Sequence, residues 1–164
     1  MSISNIQTLS LNPHYFSMLI QSFLTGYARE CEFNLALFVI PILQYKNTRN
    51  VLKTANAKSR IDTIFASNNH IGKTEISGAS KFAGFFERVA YFESYSKEAI
   101  IILFNEKKIE IKKSKILLRQ ELDYKKCIEG DKEDPIKIWL RSAYYLGQIF
   151  SKSSKFDIIS FLRG

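Results

Sequence analysis

Apolar residues recur at helical spacing near the start of the chain. Tyr15, Phe16, Leu19, Ile20, Phe23, Leu24 and Tyr27 share one stripe. Just ahead stands Asn12-Pro13: an asparagine whose side chain can accept from the unpaired amides of a first turn, then a proline already shaped for the first helical position. The stripe is too wide and aromatic to face water, so it reads as a core face. The segment from Asn34 to Lys46 is apolar on nearly every side, which predicts a second helix that is central or covered by a partner. Pro41 removes one backbone donor and is expected to kink it. Asn47 to Thr54 reads as a basic connection. Asn56 then caps a short helix carrying Ile61, Ile64 and Phe65, which stops near Asn68-Asn69.

Further on, Ser77 to Tyr91 fits a helix with Phe82, Phe85, Phe86 and Val89 turned inward, and Ser96 is placed to cap another, carrying Ala99, Ile100 and Leu103. There the period changes. Lys108-Ile109-Glu110-Ile111-Lys112 alternates as a half-buried strand does, and Ile116-Leu117-Leu118 can return beside it across a turn from Lys112 to Lys115. Glu121 to Glu133 is polar, and Asp134-Pro135 repeats the opening cap logic ahead of a stripe of Ile136, Trp139, Leu140, Ala143, Leu146 and Phe150. Ser151 to Lys155 is a hydrophilic break before a terminal apolar segment, Phe156 to Leu162. The expected fold is mainly α with a short β-hairpin, a winged-helix-like single domain over residues 1–164. Residues 1–11 form an N-terminal extension, 121–133 a mobile polar loop and 153–164 a C-terminal apolar tail.

Composition agrees with a packed domain. Of the 164 residues, 46% are hydrophobic, enough to fill a core, and seven glycines are too few for a β-sandwich with frequent glycine turns. The longest apolar run, Leu35 to Leu43, falls well short of the about 20 residues a membrane span needs. Residues 1–11 lack the basic start and apolar run of a signal peptide, so a cytoplasmic location with no membrane association is expected. Cys31 and Cys127 then read as ordinary reduced thiols.

The net charge of +8 is unevenly distributed. Lys46, Arg49, Lys53, Lys58 and Arg60 stand together with no acidic residue between them. A second cluster gathers around the hairpin, where Lys107, Lys108, Lys112, Lys113 and Lys115 are the candidate DNA-contact residues. Such clusters attract phosphate backbones or acidic protein surfaces, or simply solvate the surface. Two apolar stretches exceed what a chain of this size buries easily, so Phe33, Leu37, Phe38, Phe156, Ile159, Phe161 and Leu162 are the candidate partner interface.

Catalytic chemistry has little to work with. Nucleophilic catalysis needs an activated Ser or Cys beside a base, and only His14 and His70 are on offer, the first in an opening helical turn and the second in an asparagine-rich stretch. Two histidines and two distant cysteines do not make a zinc site. Ser67-Asn68-Asn69-His70-Ile71-Gly72-Lys73-Thr74 ends like a phosphate-binding loop, but Ser67 stands where the first glycine is required and no buried strand precedes it. Neither an enzyme activity nor a cofactor or metal site is expected.

Three stretches carry a resemblance: Asn12-Pro13-His14-Tyr15-Phe16-Ser17-Met18-Leu19-Ile20 with Phe23-Leu24-Thr25-Gly26-Tyr27; Leu35 to Leu43 with its internal proline; and Ala143-Tyr144-Tyr145-Leu146-Gly147-Gln148-Ile149-Phe150. In this order they resemble the middle component of bacterial three-component ABC/SMC-type ATPase systems, which includes the small middle subunit of Lamassu anti-phage and anti-plasmid defence. The resemblance implies a non-catalytic accessory subunit that links an SMC-like ABC ATPase to an effector of nuclease type, with double-stranded DNA a further partner of the assembled complex. It transfers no functional residue. The competing reading is a free-standing winged-helix DNA-binding protein with Lys107 to Lys115 as its wing. Against it, the segment Ser96 to Glu106 is rich in Ile and Leu and lacks the Arg, Asn and Gln that read base edges.

Overall fold

The computed structural model describes residues 11–66, 69–71, 74–76, 82–126 and 134–163. Helix α1, Pro13–Tyr27, opens as its sequence prescribes: Asn12 Oδ1 accepts the His14 amide at 2.9 Å with Pro13 in the first turn. It closes on Ala28, whose left-handed backbone (φ 61°) lets its amide reach the Leu24 carbonyl. Eleven of its fifteen residues are buried. A helix covered on so many sides must lie at the centre, and the others pack around it.

The chain turns through a two-residue strand, β1 (Cys31–Glu32), into three short helices: α2 (Phe33–Leu37), α3 (Val39–Gln44) and α4 (Lys46–Leu52). The single kinked helix expected over Asn34 to Lys46 is thus broken at Phe38. Restarting at Val39 puts Pro41 in the first turn of α3, where amides have no intrahelical partner and a missing donor costs nothing. The expected basic connection at Asn47 to Thr54 is mostly helical, as α4. A π-helical turn, Asp62–Ala66, follows, then strands β2 (Asn69–Ile71) and β3 (Thr74–Ile76), which pair antiparallel.

Helix α5 runs unbroken from Phe85 to Asn105. From Phe85 onward the two helices expected here are one, and Ser96 is no cap but a buried residue within it; the start expected at Ser77 lies outside the described residues. Phe92 and Tyr95 explain the difference. They bridge the two apolar groups into one stripe and meet Phe16 edge-on at 6.3 and 6.2 Å. Phe86, expected to point inward, is 44% exposed.

The expected hairpin forms as β4 (Ile109–Lys112) and β5 (Lys115–Leu118), with Lys112 opposite Lys115. Its two turn residues, Lys113 and Ser114, both have positive φ (47° and 62°), the geometry of a tight turn that follows the strand twist. The other edge of β5 is taken by β1, giving a sheet ordered β1-β5-β4. Helix α6, Pro135–Ser151, is capped by Asp134, whose Oδ1 accepts the Ile136 amide at 2.9 Å. It lies along α1 so closely that the two glycines at the crossing cannot be replaced without conflict: a β-carbon on Gly26 would meet the Tyr144 carbonyl, and one on Gly147 the Phe23 carbonyl. The Ser22 hydroxyl donates to the Leu140 carbonyl at 2.7 Å within the same interface. Helix α7, Lys155–Arg163, completes the fold. The fold is mainly α with a short β-hairpin, as expected. The winged-helix arrangement is not established by this topology, since the helix entering the hairpin lays its inner face along α1.

Candidate functional site

The hairpin is positioned from both sides. Ser114 O accepts the Phe33 amide at 2.8 Å, extending the β1–β5 pairing to the turn, while Lys108 N–H donates to Leu103 O at 2.9 Å and ties β4 to the end of α5. Across its outer face Arg119 Nη2 lies 2.6 Å from Glu110 Oε2. That hydrogen bond, aided by the charges of Arg119 and Lys112, holds the Glu110 carboxyl below the ordinary glutamate range.

All five candidate DNA-contact lysines project from this element, but they are not equivalent. Lys108 is half-buried and paired with Glu106 at 2.7 Å; Lys112 lies 3.6 Å from Glu110, and Lys115 3.8 Å from Glu30. Among the described residues, Lys107 and Lys113 carry no ion pair, and both are exposed with left-handed backbone, φ 59° and 47°. Much of the hairpin charge is therefore already compensated locally, and the free charge sits at the base and at the tip.

The other basic cluster is not a uniform surface. Arg49 lies over the Trp139 ring at 5.3 Å, and burial lowers its pKa. Two bases from the C-terminal half hold the loop that follows α4. Arg141 donates to the Lys53 and Ala55 carbonyls, and Lys152 Nζ to those of Ala57 and Ser59.

The candidate interface residues divide sharply. Phe38 (8% exposed) and Leu162 (2%) belong to the core of this chain. Phe33, Leu37, Ile159 and Phe161 are half-buried against it, and Phe156 is 79% exposed. Lys155 Nζ lies 3.6 Å from a Glu32 carboxylate oxygen, so the start of α7 is tied to the start of α2 and the two candidate stretches become neighbours. What the sequence did not signal is the outer face of α5. Ile101 and Phe104 lie off its buried stripe and are 56% and 51% exposed, and Ile111 on β4 is 40% exposed. The three-residue offset between Ile101 and Phe104 was the available sign of a second apolar face. Beside them runs an open groove of about 430 Å³ lined by Phe104, Asn105, Lys107, Ile109, Glu110 and Arg119.

Among the described residues, no group of His, Cys, Asp and Glu is placed to hold a metal, and no helix is long and apolar enough to cross a membrane. The Cys31 thiol is buried and its pKa is pushed up to about 12 by burial, with the Glu32 carboxylate adding to the effect. Cys127 lies outside the described residues. So do Gly72 and Lys73, at the end of the segment resembling a phosphate-binding loop. They fall between β2 and β3, which pair antiparallel, whereas a phosphate-binding loop leads from a strand into a helix.

The model for the family ABC-three component (ABC-3C) system Middle Component 3 matches residues 1–163, and the chain belongs to that family. Neither a curated protein nor a solved structure matches it.

Proposed function

We propose that this middle component of a three-component ABC system is a non-catalytic adaptor, joining an SMC-like ABC ATPase to an effector of nuclease type in cytoplasmic defence against phage and plasmid DNA. The observation that carries this reading is the match of the middle-component family model to residues 1–163. The surface supports it. Phe156, Ile101 and Phe104 are large, apolar and exposed on helical surfaces, the kind of residue that anchors interfaces.

The α7 segment is the anchor for one partner, with Phe156 at its centre and Phe33, Leu37, Ile159 and Phe161 around it. Phe38 and Leu162 support this surface from within. The hairpin lysines approach the backbone of DNA held by the assembly, and Lys113, at the tip and without an ion pair among the described residues, contributes most.

Co-expression with the ATPase and effector components tests the adaptor reading. The wild-type chain should co-purify with both, and recovery of the chain alone would overturn it. Phe156→Asp should weaken one of these associations and leave the fold intact, because Phe156 makes little use of the core. Charge reversal at Lys112 and Lys113 should leave assembly unchanged and lower DNA affinity equally across sequences. Each phosphate that a lysine no longer neutralises reduces the salt slope of log K by about 0.9. Failure to assemble would make the hairpin a protein interface instead.

A further inference from the structure

The free edge of β4 is shaped to receive one more strand. Arg119 N–H donates to Lys108 O at 2.7 Å, so Lys108 faces β5 in the ladder. With Ile109 opposite Leu118 and Lys112 opposite Lys115, the alternation of an antiparallel pair directs the main-chain groups of Glu110 and Lys112 to β5 as well. The amides and carbonyls of Ile109 and Ile111 therefore point away from the sheet; Ile111, 40% exposed, presents its pair to an incoming chain, whereas Ile109, 2% exposed, is already covered by its own fold. Strand β4 is the last in the order β1-β5-β4, and no strand among the described residues lies beyond it.

Three features beside this edge define what fits there. The groove of about 430 Å³ opens at the start of β4, lined by Phe104, Asn105, Lys107, Ile109, Glu110 and Arg119. Ile101, Phe104 and Ile111 offer exposed apolar surface at 56%, 51% and 40%. Lys107, at the base of the groove, is a cation with no ion pair among the described residues. Extended chains bind sheet edges through main-chain hydrogen bonds, with alternate side chains entering pockets.

We propose that an extended segment of a partner subunit adds to the free edge of β4, placing apolar side chains at alternate positions against Phe104 and Ile111 and an acidic side chain at Lys107. A second copy of this chain is a poorer occupant. Each copy carries a net charge of +8, and pairing of β4 with β4 brings two lysine-rich hairpins together. This inference rests on the adaptor reading and specifies one of its contacts.

Ile111→Pro is the discriminating variant. It deletes an amide that faces outward and leaves the bonds of β4 to β5 in place, as proline on a sheet edge does. In the co-expressed three-component assembly, Ile111→Pro should keep the wild-type melting temperature to within a few degrees and lose partner affinity about tenfold or more. Lys107→Glu should weaken capture about threefold to tenfold, with the loss shrinking at high salt. Amide hydrogen exchange on the wild-type chain gives a readout that depends on no variant. The Ile111 amide should exchange freely in the isolated chain and become protected in the complex.

Undiminished capture by Ile111→Pro, or an unprotected Ile111 amide in a complex that does form, would overturn the edge proposal alone and leave the adaptor reading standing. A wild-type chain that captures no partner overturns both. Dimerisation of the isolated chain that Ile111→Pro abolishes assigns the edge to a second copy and overturns the partner segment.

Discussion

Replacing Gly147 with alanine should destabilise the protein, although helix propensity alone argues the opposite. In a helix interior alanine is favoured over glycine by about 1 kcal/mol. At this crossing, however, the new β-carbon would fall 2.8 Å from the Tyr27 nitrogen and nearer still to the Phe23 carbonyl oxygen, where ordinary contact begins at 3.4 Å. Both neighbours are backbone, so neither can rotate aside, and α1 and α6 must part. Their separation loosens the edge-on contact of Phe23 with Phe150 at 5.8 Å and lengthens the Ser22 bond to Leu140 O. Overpacking of this kind costs about 1–3 kcal/mol, and immovable neighbours place it at the upper end. The propensity gain offsets about 1 kcal/mol, leaving a net loss of about 2 kcal/mol and a melting temperature lower by about 4–8 °C. Urea denaturation followed by fluorescence measures this directly, because the single tryptophan, Trp139, lies on α6 against Tyr15 at 5.8 Å. Gly26→Ala should behave similarly, since its β-carbon would meet the Tyr144 backbone. The double variant should cost less than the sum, because helices already separated accommodate the second methyl more easily. A Gly147→Ala protein as stable as the wild type, or more so, would refute the close-approach reasoning.

Three further outcomes are expected. Replacing Lys113-Ser114 with Asn-Gly relieves left-handed strain of about 1–2 kcal/mol per residue, so thermal denaturation should show a melting temperature several degrees higher; no change would mean the turn is unstrained. Mass spectrometry after treatment with a thiol reagent near about pH 8 should find Cys31 unmodified in the folded chain and modified in urea, since burial keeps it protonated; its folded pKa is raised to about 12, so the stability it contributes is full below the unfolded value near about 8.5 and declines as pH rises toward 12. The Glu110 pKa is instead lowered, so its contribution is present above about pH 4.3 and disappears as pH falls through the folded value. Glu110→Gln should therefore lower the melting temperature slightly at neutral pH, with the difference from wild type vanishing in acid; a difference that persists at about pH 2 would contradict this.

Much of the framework was legible from local chemistry. Asn12-Pro13 and Asp134-Pro135 announce their helices because a cap is a contact between near neighbours in sequence, and the 109–118 hairpin is announced by its period. The three resemblance stretches indicated the family, and the structure supplies the physical content of two of them: Gly26 and Gly147 are where α1 and α6 touch. What escaped the sequence depended on surroundings. Ser96 is as good a cap by composition as Asn12, but Phe92 and Tyr95 find Phe16 across the interface, and that burial carries the helix through it. Pro41 did not kink a helix because the chain could restart two residues earlier, a choice decided by packing of Phe38 rather than by proline itself. Exposure divided the candidate interface in the same way. Phe38 and Phe156 both stand in apolar segments, and the closed core determines that one is buried and the other faces solvent. The hairpin lysines likewise look alike in the chain, whereas Glu30, Glu106 and Glu110 each lie within 4 Å of one of them and, among the described residues, Lys107 and Lys113 have no ion pair. Periodicity and caps are properties of a segment; burial, pairing and a free sheet edge are properties of the whole fold, because each depends on what another segment has already covered.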